Sequence, residues 1–223
     1  NCSSKKSVLY MQDLNEGSKF INDYLVYKTK VDDILKIDIT SEDIEASMIF
    51  NKPSSSSINN NFESMTLDGY QINSEGYINF PYFGKLMVLD KTVDEIINLL
   101  YNKITEESIL KNPSIDVKLL NSYFTILGEV KNPGRYDYLE NNLNILEAIG
   151  ISGDLTINGK RNDVKIIREL NDEKIILSAD LTKSQFLNED SFQIFSGDII
   201  IVNPNITRVK DAGIIGNSGT LIS

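Results

Sequence analysis

Catalysis needs side chains that can carry it, and this chain of 223 residues offers few. It contains no histidine, which removes the usual general base, the usual neutral metal ligand and every Ser-His-Asp or Cys-His arrangement. Carboxylates remain: Asp32-Asp33, Glu106-Glu107 and Glu189-Asp190 are adjacent pairs. Neighbours in sequence point in different directions on a helix or a strand, so adjacency makes a solvated face rather than an acid–base pair. The expectation is a chain with no catalytic residue, no cofactor and no metal site.

The single cysteine, Cys2, has no partner for an intrachain disulfide or a zinc site. Its position is more informative than its chemistry. A lone cysteine at the start, followed by the polar run Ser3-Ser4-Lys5-Lys6-Ser7, resembles a bacterial lipoprotein after signal-peptide removal, with Cys2 as the lipid attachment site. The other reading is an incidental free thiol. Lys+Arg 22 against Asp+Glu 32 gives a net charge of −10. That charge opposes both the phosphate attraction behind nucleic-acid binding and adsorption to an anionic membrane, so any membrane attachment must come from a lipid or another segment.

A hydrophobic content of 41% suffices for a core, and the length suits two small domains. Met11 to Asn22 reads as a polar, weakly ordered lead-in, with order starting near Tyr24. Leu35, Ile37 and Ile39 alternate with polar residues as in a half-buried strand. Residues 51–61, Asn-Lys-Pro-Ser-Ser-Ser-Ser-Ile-Asn-Asn-Asn, are an exposed loop. Tyr70 to Ile72 and Tyr77 to Phe80 are expected to form a hairpin across Asn73-Ser74-Glu75-Gly76, with Gly76 supplying positive φ. Pro81 then ends pairing and Gly84 allows another turn. Thr92 and Glu95 make a capping-box signature, and Val93, Ile96, Ile97, Leu100 and Ile104 recur at helical spacing, which predicts a helix over Val93 to Glu106. Ile115, Val117 and Leu119 follow as a strand.

A second unit begins near Asn121. Phe124 to Leu127 is a strand, Asn132-Pro133-Gly134 a turn with Gly134 free to take positive φ, and Tyr136 and Tyr138 face one side of the returning strand. Asn144 and Glu147 cap a short helix that ends at Gly150 and Gly153. Strands follow near Val164 to Arg168, Lys174 to Ser178 and Ile199 to Val202. A mixed sheet crossed by one helix is the β-grasp arrangement in outline, although periodicity does not separate it from other α+β sandwiches. Asp32-Asp33-Ile34 and Gly197-Asp198-Ile199 echo each other as turn, aspartate and strand, and the aspartates are read as structural. The final stretch, with Gly213, Gly216 and Gly219 among apolar residues, suits either close helix packing or a flexible linker and is too short to span a bilayer.

Gly69-Tyr70-Gln71-Ile72, then Glu75-Gly76-Tyr77-Ile78-Asn79-Phe80-Pro81-Tyr82-Phe83-Gly84-Lys85, then Thr92-Val93-Asp94-Glu95 and Asn112-Pro113-Ser114-Ile115-Asp116-Val117 together resemble the polysaccharide biosynthesis/export family. Val31-Asp32-Asp33 stands where that family's pattern has Pro-Gly-Asp. Gly128 to Tyr136, Leu143 to Ile149, Ser152-Gly153-Asp154, Val164 to Arg168 and Ser196 to Val202 resemble a soluble-ligand-binding β-grasp (SLBB) domain. The resemblance implies an α+β fold: a lipoprotein-like lead-in over 1–23, an export domain over 24–120 with a small mixed sheet and one main helix, one SLBB β-grasp domain over 121–204, and the start of a C-terminal linker or membrane helix over 205–223. Asp33, Gly76, Pro81, Gly84, Gly128, Pro133, Gly134, Gly153, Gly197 and Asp198 would be the turn-forming motif residues.

In function the resemblance implies a component of an outer-membrane channel that exports capsule or exopolysaccharide without catalysis. Its partners would be seven further copies in an octameric ring, an inner-membrane co-polymerase or tyrosine kinase, the polysaccharide itself, and the outer membrane through Cys2 and a helix after Ser223. It would sit on the periplasmic face of the outer membrane. The alternative is a soluble periplasmic module that binds a glycan or small ligand. A glycan-cleaving reading would rest on the carboxylates of Asp32 to Asp43. Tyr77, Tyr82, Tyr136 and Tyr138 are candidate sugar-stacking residues, against the simpler reading of tyrosine as a strand former.

Overall fold

The computed structural model describes residues 8–20, 25–52, 68–140, 142–170 and 173–205. The chain divides into two compact units, one of Val26–Ser122 with Tyr138–Asn141, the other of Asn1–Leu25, Tyr123–Asp137 and Asn142–Ser223.

In the first unit, β1 (Ile34–Thr40) pairs antiparallel with β5 (Ser114–Leu119) along six residues and with β2 (Tyr70–Gln71) on its other side. The alternation that marks β1 in sequence places Leu35, Ile37 and Ile39 in the core at 0%, 2% and 0% exposure. After β1 comes α1 (Ile44–Met48), capped by Asp43, whose carboxylate accepts the Ala46 N–H at 3.0 Å. The main helix, α2 (Val93–Glu106), starts at Thr92 with both capping-box bonds formed: Glu95 N–H donates to Thr92 Oγ1 at 3.1 Å and Thr92 N–H to Glu95 Oε2 at 2.8 Å. Such a cap contributes about 1 kcal/mol. Ile96, Leu100 and Ile104, four residues apart, are fully buried and join the core of β1, β5 and the aromatic residues Phe50, Tyr70 and Phe80. Each buried aliphatic side chain is worth roughly 1.5–3 kcal/mol, so burial of this stripe, more than the cap, holds the helix in place.

The expected hairpin across Asn73–Gly76 does not form. β2 pairs with β1, and β3 (Tyr77–Phe80) pairs instead with β4 (Gly84–Met87). The turn itself is present, with Asn73 N–H bonded to Tyr77 O and Gly76 at φ +85°. Beyond it the chain changes sheet: Ile78 pairs with Leu86 in the β3–β4 hairpin, while the side chains of both stay in the same core as Tyr70 and Ile72. Pro81 ends the pairing of β3, as expected, and Pro81-Tyr82-Phe83 is the hairpin loop to β4, in which Tyr82 takes φ +66°.

In the second unit, five strands stand in the order β10-β9-β12-β6-β7: β6 (Tyr123–Gly128), β7 (Gly134–Asp137), β9 (Gly159–Leu170), β10 (Glu173–Ala179) and β12 (Ile199–Pro204). β6 and β12 run parallel, and the other pairs are antiparallel. The helix α3 (Ile145–Ile151) has a complete Asn144/Glu147 capping box and buries Ile145, Ala148 and Ile149. It follows β8 (Leu143–Asn144), which pairs with β11 (Gln193–Ile194). A 3-10 turn at Ser184–Asn188 buries Phe186.

Three further expectations change. β7 ends at Asp137, so Tyr138 does not share its strand with Tyr136; Tyr138 belongs to the other unit, where its N–H donates to Ser122 O. Gly134 opens β7 outside the left-handed region, and the turn at Pro133 makes no use of its freedom. Met11 to Asp13, read as weakly ordered, are hydrogen-bonded to Leu181, Thr182 and Ser184 of the second unit. Their partners lie about 170 residues away, beyond the reach of any local pattern.

Candidate functional site

The sequence echo between Asp33 and Asp198 extends to hydrogen-bond geometry. In each case the aspartate's N–H bonds to the carbonyl three residues back, Asp33 to Lys30 and Asp198 to Phe195. Each carboxylate in turn accepts the N–H of that same residue, at 2.8 Å in both turns. The residue before the aspartate is left-handed in both, Asp32 at φ +69° and Gly197 at φ +89°. The departure from Pro-Gly-Asp therefore keeps the turn, with Asp32 doing what glycine does elsewhere; aspartate tolerates this region better than most residues. The Asp32 carboxylate accepts from Gln71 Nε2 at 3.0 Å while Asp33 turns inward to the Tyr27 hydroxyl at 2.9 Å. The pair thus addresses different partners.

The two turns differ in charge compensation. Asp33 is 7% exposed, and burial pushes its carboxyl up to about 6. Asp198, 1% exposed, meets Arg168, also 1% exposed, with Nη2 to Oδ2 at 2.7 Å and Nε to Oδ1 at 3.1 Å. Arg168 further donates from Nη1 to Asp190 O at 3.3 Å and from Nη2 to Gln193 O, and it lies 4.0 Å from the Phe195 ring centroid. Sequence reading missed this ion pair, although a signal existed. Arg168 is in phase with Val164 and Ile166, both 0% exposed, so strand alternation puts a guanidinium on the core face, where it demands a carboxylate.

Among the motif glycines, Gly128 has a steric reason for its identity. It sits at φ +92° opposite Val202 in the parallel pair, and a Cβ there would lie 2.1 Å from the Val202 carbonyl oxygen. Gly76, Gly84, Gly153 and Gly197 also have positive φ, Pro81 stands in the β3–β4 loop, and Pro133 precedes β7. These residues are spread over both units and form turns; they do not converge on one site. Cys2 lies outside the described residues, as does most of the 51–61 loop.

Of the four candidate tyrosines, Tyr138 is buried, Tyr77 is half-buried, and Tyr136 stacks on Phe124 at 5.4 Å while its hydroxyl donates to Asn132 O at 2.6 Å. Tyr82 alone is freely exposed, at 62%. Its ring makes T-shaped contacts with Phe50 at 5.8 Å and Phe83 at 5.2 Å, which hold the exposed ring in place in the β3–β4 loop. Among the described residues no cluster of three or more His, Cys, Asp or Glu could hold a metal ion, and no helix is long and apolar enough to cross a membrane.

Two α+β units built on aspartate turns, with buried charge serving the fold, define a scaffold of consecutive modules. The modules are those of two known families. Residues 23–120 match the polysaccharide biosynthesis/export protein family, and residues 123–177 match the SLBB domain. The chain thus carries a polysaccharide biosynthesis/export domain followed by an SLBB domain. It is similar to two proteins named EPS I polysaccharide export outer membrane protein EpsA. The one from Ralstonia solanacearum is 26% identical over 140 residues and the one from Ralstonia nicotianae 26% identical over 141 residues. Each match covers 61% of this chain and 36% of the relative, so the chain spans little more than a third of their length.

Proposed function

We propose that this chain is the periplasmic part of an outer-membrane polysaccharide export protein, which forms a ring and passes a finished glycan outward without reacting with it. The observation that carries the reading is the succession of an export domain and an SLBB domain in one chain, supported by its partial similarity to proteins named for polysaccharide export. In this reading 24–120 is the export domain, 121–204 the β-grasp domain, Cys2 carries the lipid, and the ring meets an inner-membrane co-polymerase or tyrosine kinase. Conduction of a long polymer is best served by a wide polar lumen with weak contacts, since tight binding would stall it. Tyr82 suits such a contact: one exposed tyrosine ring per subunit, braced by Phe50 and Phe83, can stack on passing sugar rings.

The test is the mass and oligomeric state of the mature protein extracted from membranes in mild detergent. A lipid adduct on Cys2 within a closed ring is expected; an unmodified soluble monomer overturns the reading and leaves a ligand-binding module. In the ring, Tyr82→Ala is expected to slow polymer export several-fold without changing assembly, as loss of one stacking contact of about 1 kcal/mol per subunit would.

A further inference from the structure

The strap that leads into the chain is fastened to the second unit by unlike contacts at successive residues. Met11 and Gln12 donate their N–H groups to Leu181 O at 2.9 Å and Thr182 O at 2.8 Å, and Asp13 Oδ1 accepts the Ser184 N–H at 2.6 Å. The Tyr10 hydroxyl donates to Asp154 Oδ1 at 2.5 Å, and the Tyr10 ring lies 5.1 Å from the Arg161 guanidinium carbon. Arg161 is 5% exposed. Its terminal nitrogens reach Thr156 O at 3.3 Å, Gly159 O at 3.4 Å and Leu155 O at 3.5 Å, and its Nε has no partner. These bonds are long and individually weak, so they gather the loop only while something holds the guanidinium in place. The Tyr10 ring is what lies against it.

The same loop receives the other end of the unit. Asn205, just after β12, donates its N–H to Asn158 O at 2.7 Å and its Nδ2 to Ile157 O at 3.5 Å, while Pro204 pairs with Gly159. Tyr10 thus touches the residue before the loop, Asp154, and the arginine that gathers the loop's carbonyls. Asn205 sits on the loop's middle. Thr156 is fixed independently, its N–H bonded to Glu129 O at 2.9 Å and its hydroxyl to Glu129 Oε2 at 2.6 Å. Asn158 N–H donates to Thr156 Oγ1 at 3.2 Å, so between the fixed Thr156 and the Arg161-bound Gly159 lie only Ile157 and Asn158, the two residues that hold Asn205.

We propose that Tyr10 is a latch that couples docking of the N-terminal strap to the seating of the segment leaving β12, through Arg161 and the Leu155–Gly159 loop. Releasing the strap loosens the take-off point of the following segment, and tightening one end tightens the other. The inference rests on these contacts alone and does not require the export reading.

Amide hydrogen exchange on the full chain tests it, comparing the parent with Tyr10→Phe and Tyr10→Ala. Tyr10→Phe keeps the ring and deletes one hydrogen bond to a carboxylate. It should speed exchange of Met11 and Gln12 by roughly tenfold and that of Asn205 by a smaller, measurable factor, with Thr156 unchanged. Tyr10→Ala should enlarge both effects and increase modification of Arg161 by phenylglyoxal. Faster exchange confined to the strap, with Asn205 unchanged in both variants, overturns the coupling. Equal acceleration throughout β6, β7 and β12 also overturns it, since Tyr10 would then be an ordinary stabilising residue.

Discussion

Asp198→Asn isolates the buried ion pair, because it keeps the shape of the side chain and an acceptor for the Phe195 N–H while deleting the charge opposite Arg168. At 2.7 Å the direct attraction is about 6 kcal/mol for an effective dielectric constant near 20, but burying two ions costs several kcal/mol each, so the intact pair contributes little net stability. Removing one partner is different. Arg168 stays 1% exposed and cannot reach water without opening β9, so the loss should be about 3–5 kcal/mol. With a urea m-value of roughly 2 kcal/mol per molar for a unit of this size, the midpoint should fall by about 2 M. Urea unfolding followed by circular dichroism gives the shift, and amide exchange on β9 and β12 assigns it to this unit. Raising the salt to 1 M should barely change the result, since a buried pair is poorly screened. Combining Asp198→Asn with Arg168→Met should recover much of the loss, leaving about 1–2 kcal/mol for the orphaned Gln193 and Asp190 carbonyls. A loss below about 1 kcal/mol for the single variant, or one that grows with salt, refutes the reasoning.

Two further outcomes concern Asp33 and Gly128. Asp33 titrates near 6 in the folded unit against 3.8 for the unburied group, so between those values the native state holds a proton that the unfolded chain releases. Stability attributable to Asp33 is therefore greatest at low pH and falls as pH rises through about 6, by at most ~3 kcal/mol. The difference in unfolding free energy between the parent and Asp33→Asn, measured from pH 4 to 7.5, should show that slope; a flat difference sinks the assignment. Gly128→Ala places a Cβ 2.1 Å from the Val202 oxygen at a backbone angle alanine resists, and should cost about 2–4 kcal/mol and loosen exchange along the β6–β12 pair, whereas Gly197→Ala, with open space around it, should cost about 1 kcal/mol.

The sequence by itself determined the local elements and the two domain types. Period-2 alternation located β1 and β5, a capping box with helical spacing located α2 and a second capping box located α3, because these signals depend on residues within a few positions of each other. The aspartate turns were legible for the same reason. Family motifs lie in their own order along the chain, so the succession of export and SLBB domains was readable too. Only the tertiary structure decided which strands pair. The Asn73–Gly76 turn is real, yet β3 pairs across Pro81–Phe83, because a turn fixes the chain's direction and the choice of partner belongs to the core. It likewise decided that one aspartate turn is neutralised by an arginine and the other is not, that Tyr82 is open while Tyr138 is buried, and that the strap docks about 170 residues away. Each of these is a contact between distant residues, and a linear pattern carries the demand for such a partner, as Arg168 in phase with Val164 and Ile166 shows, without saying which residue meets it.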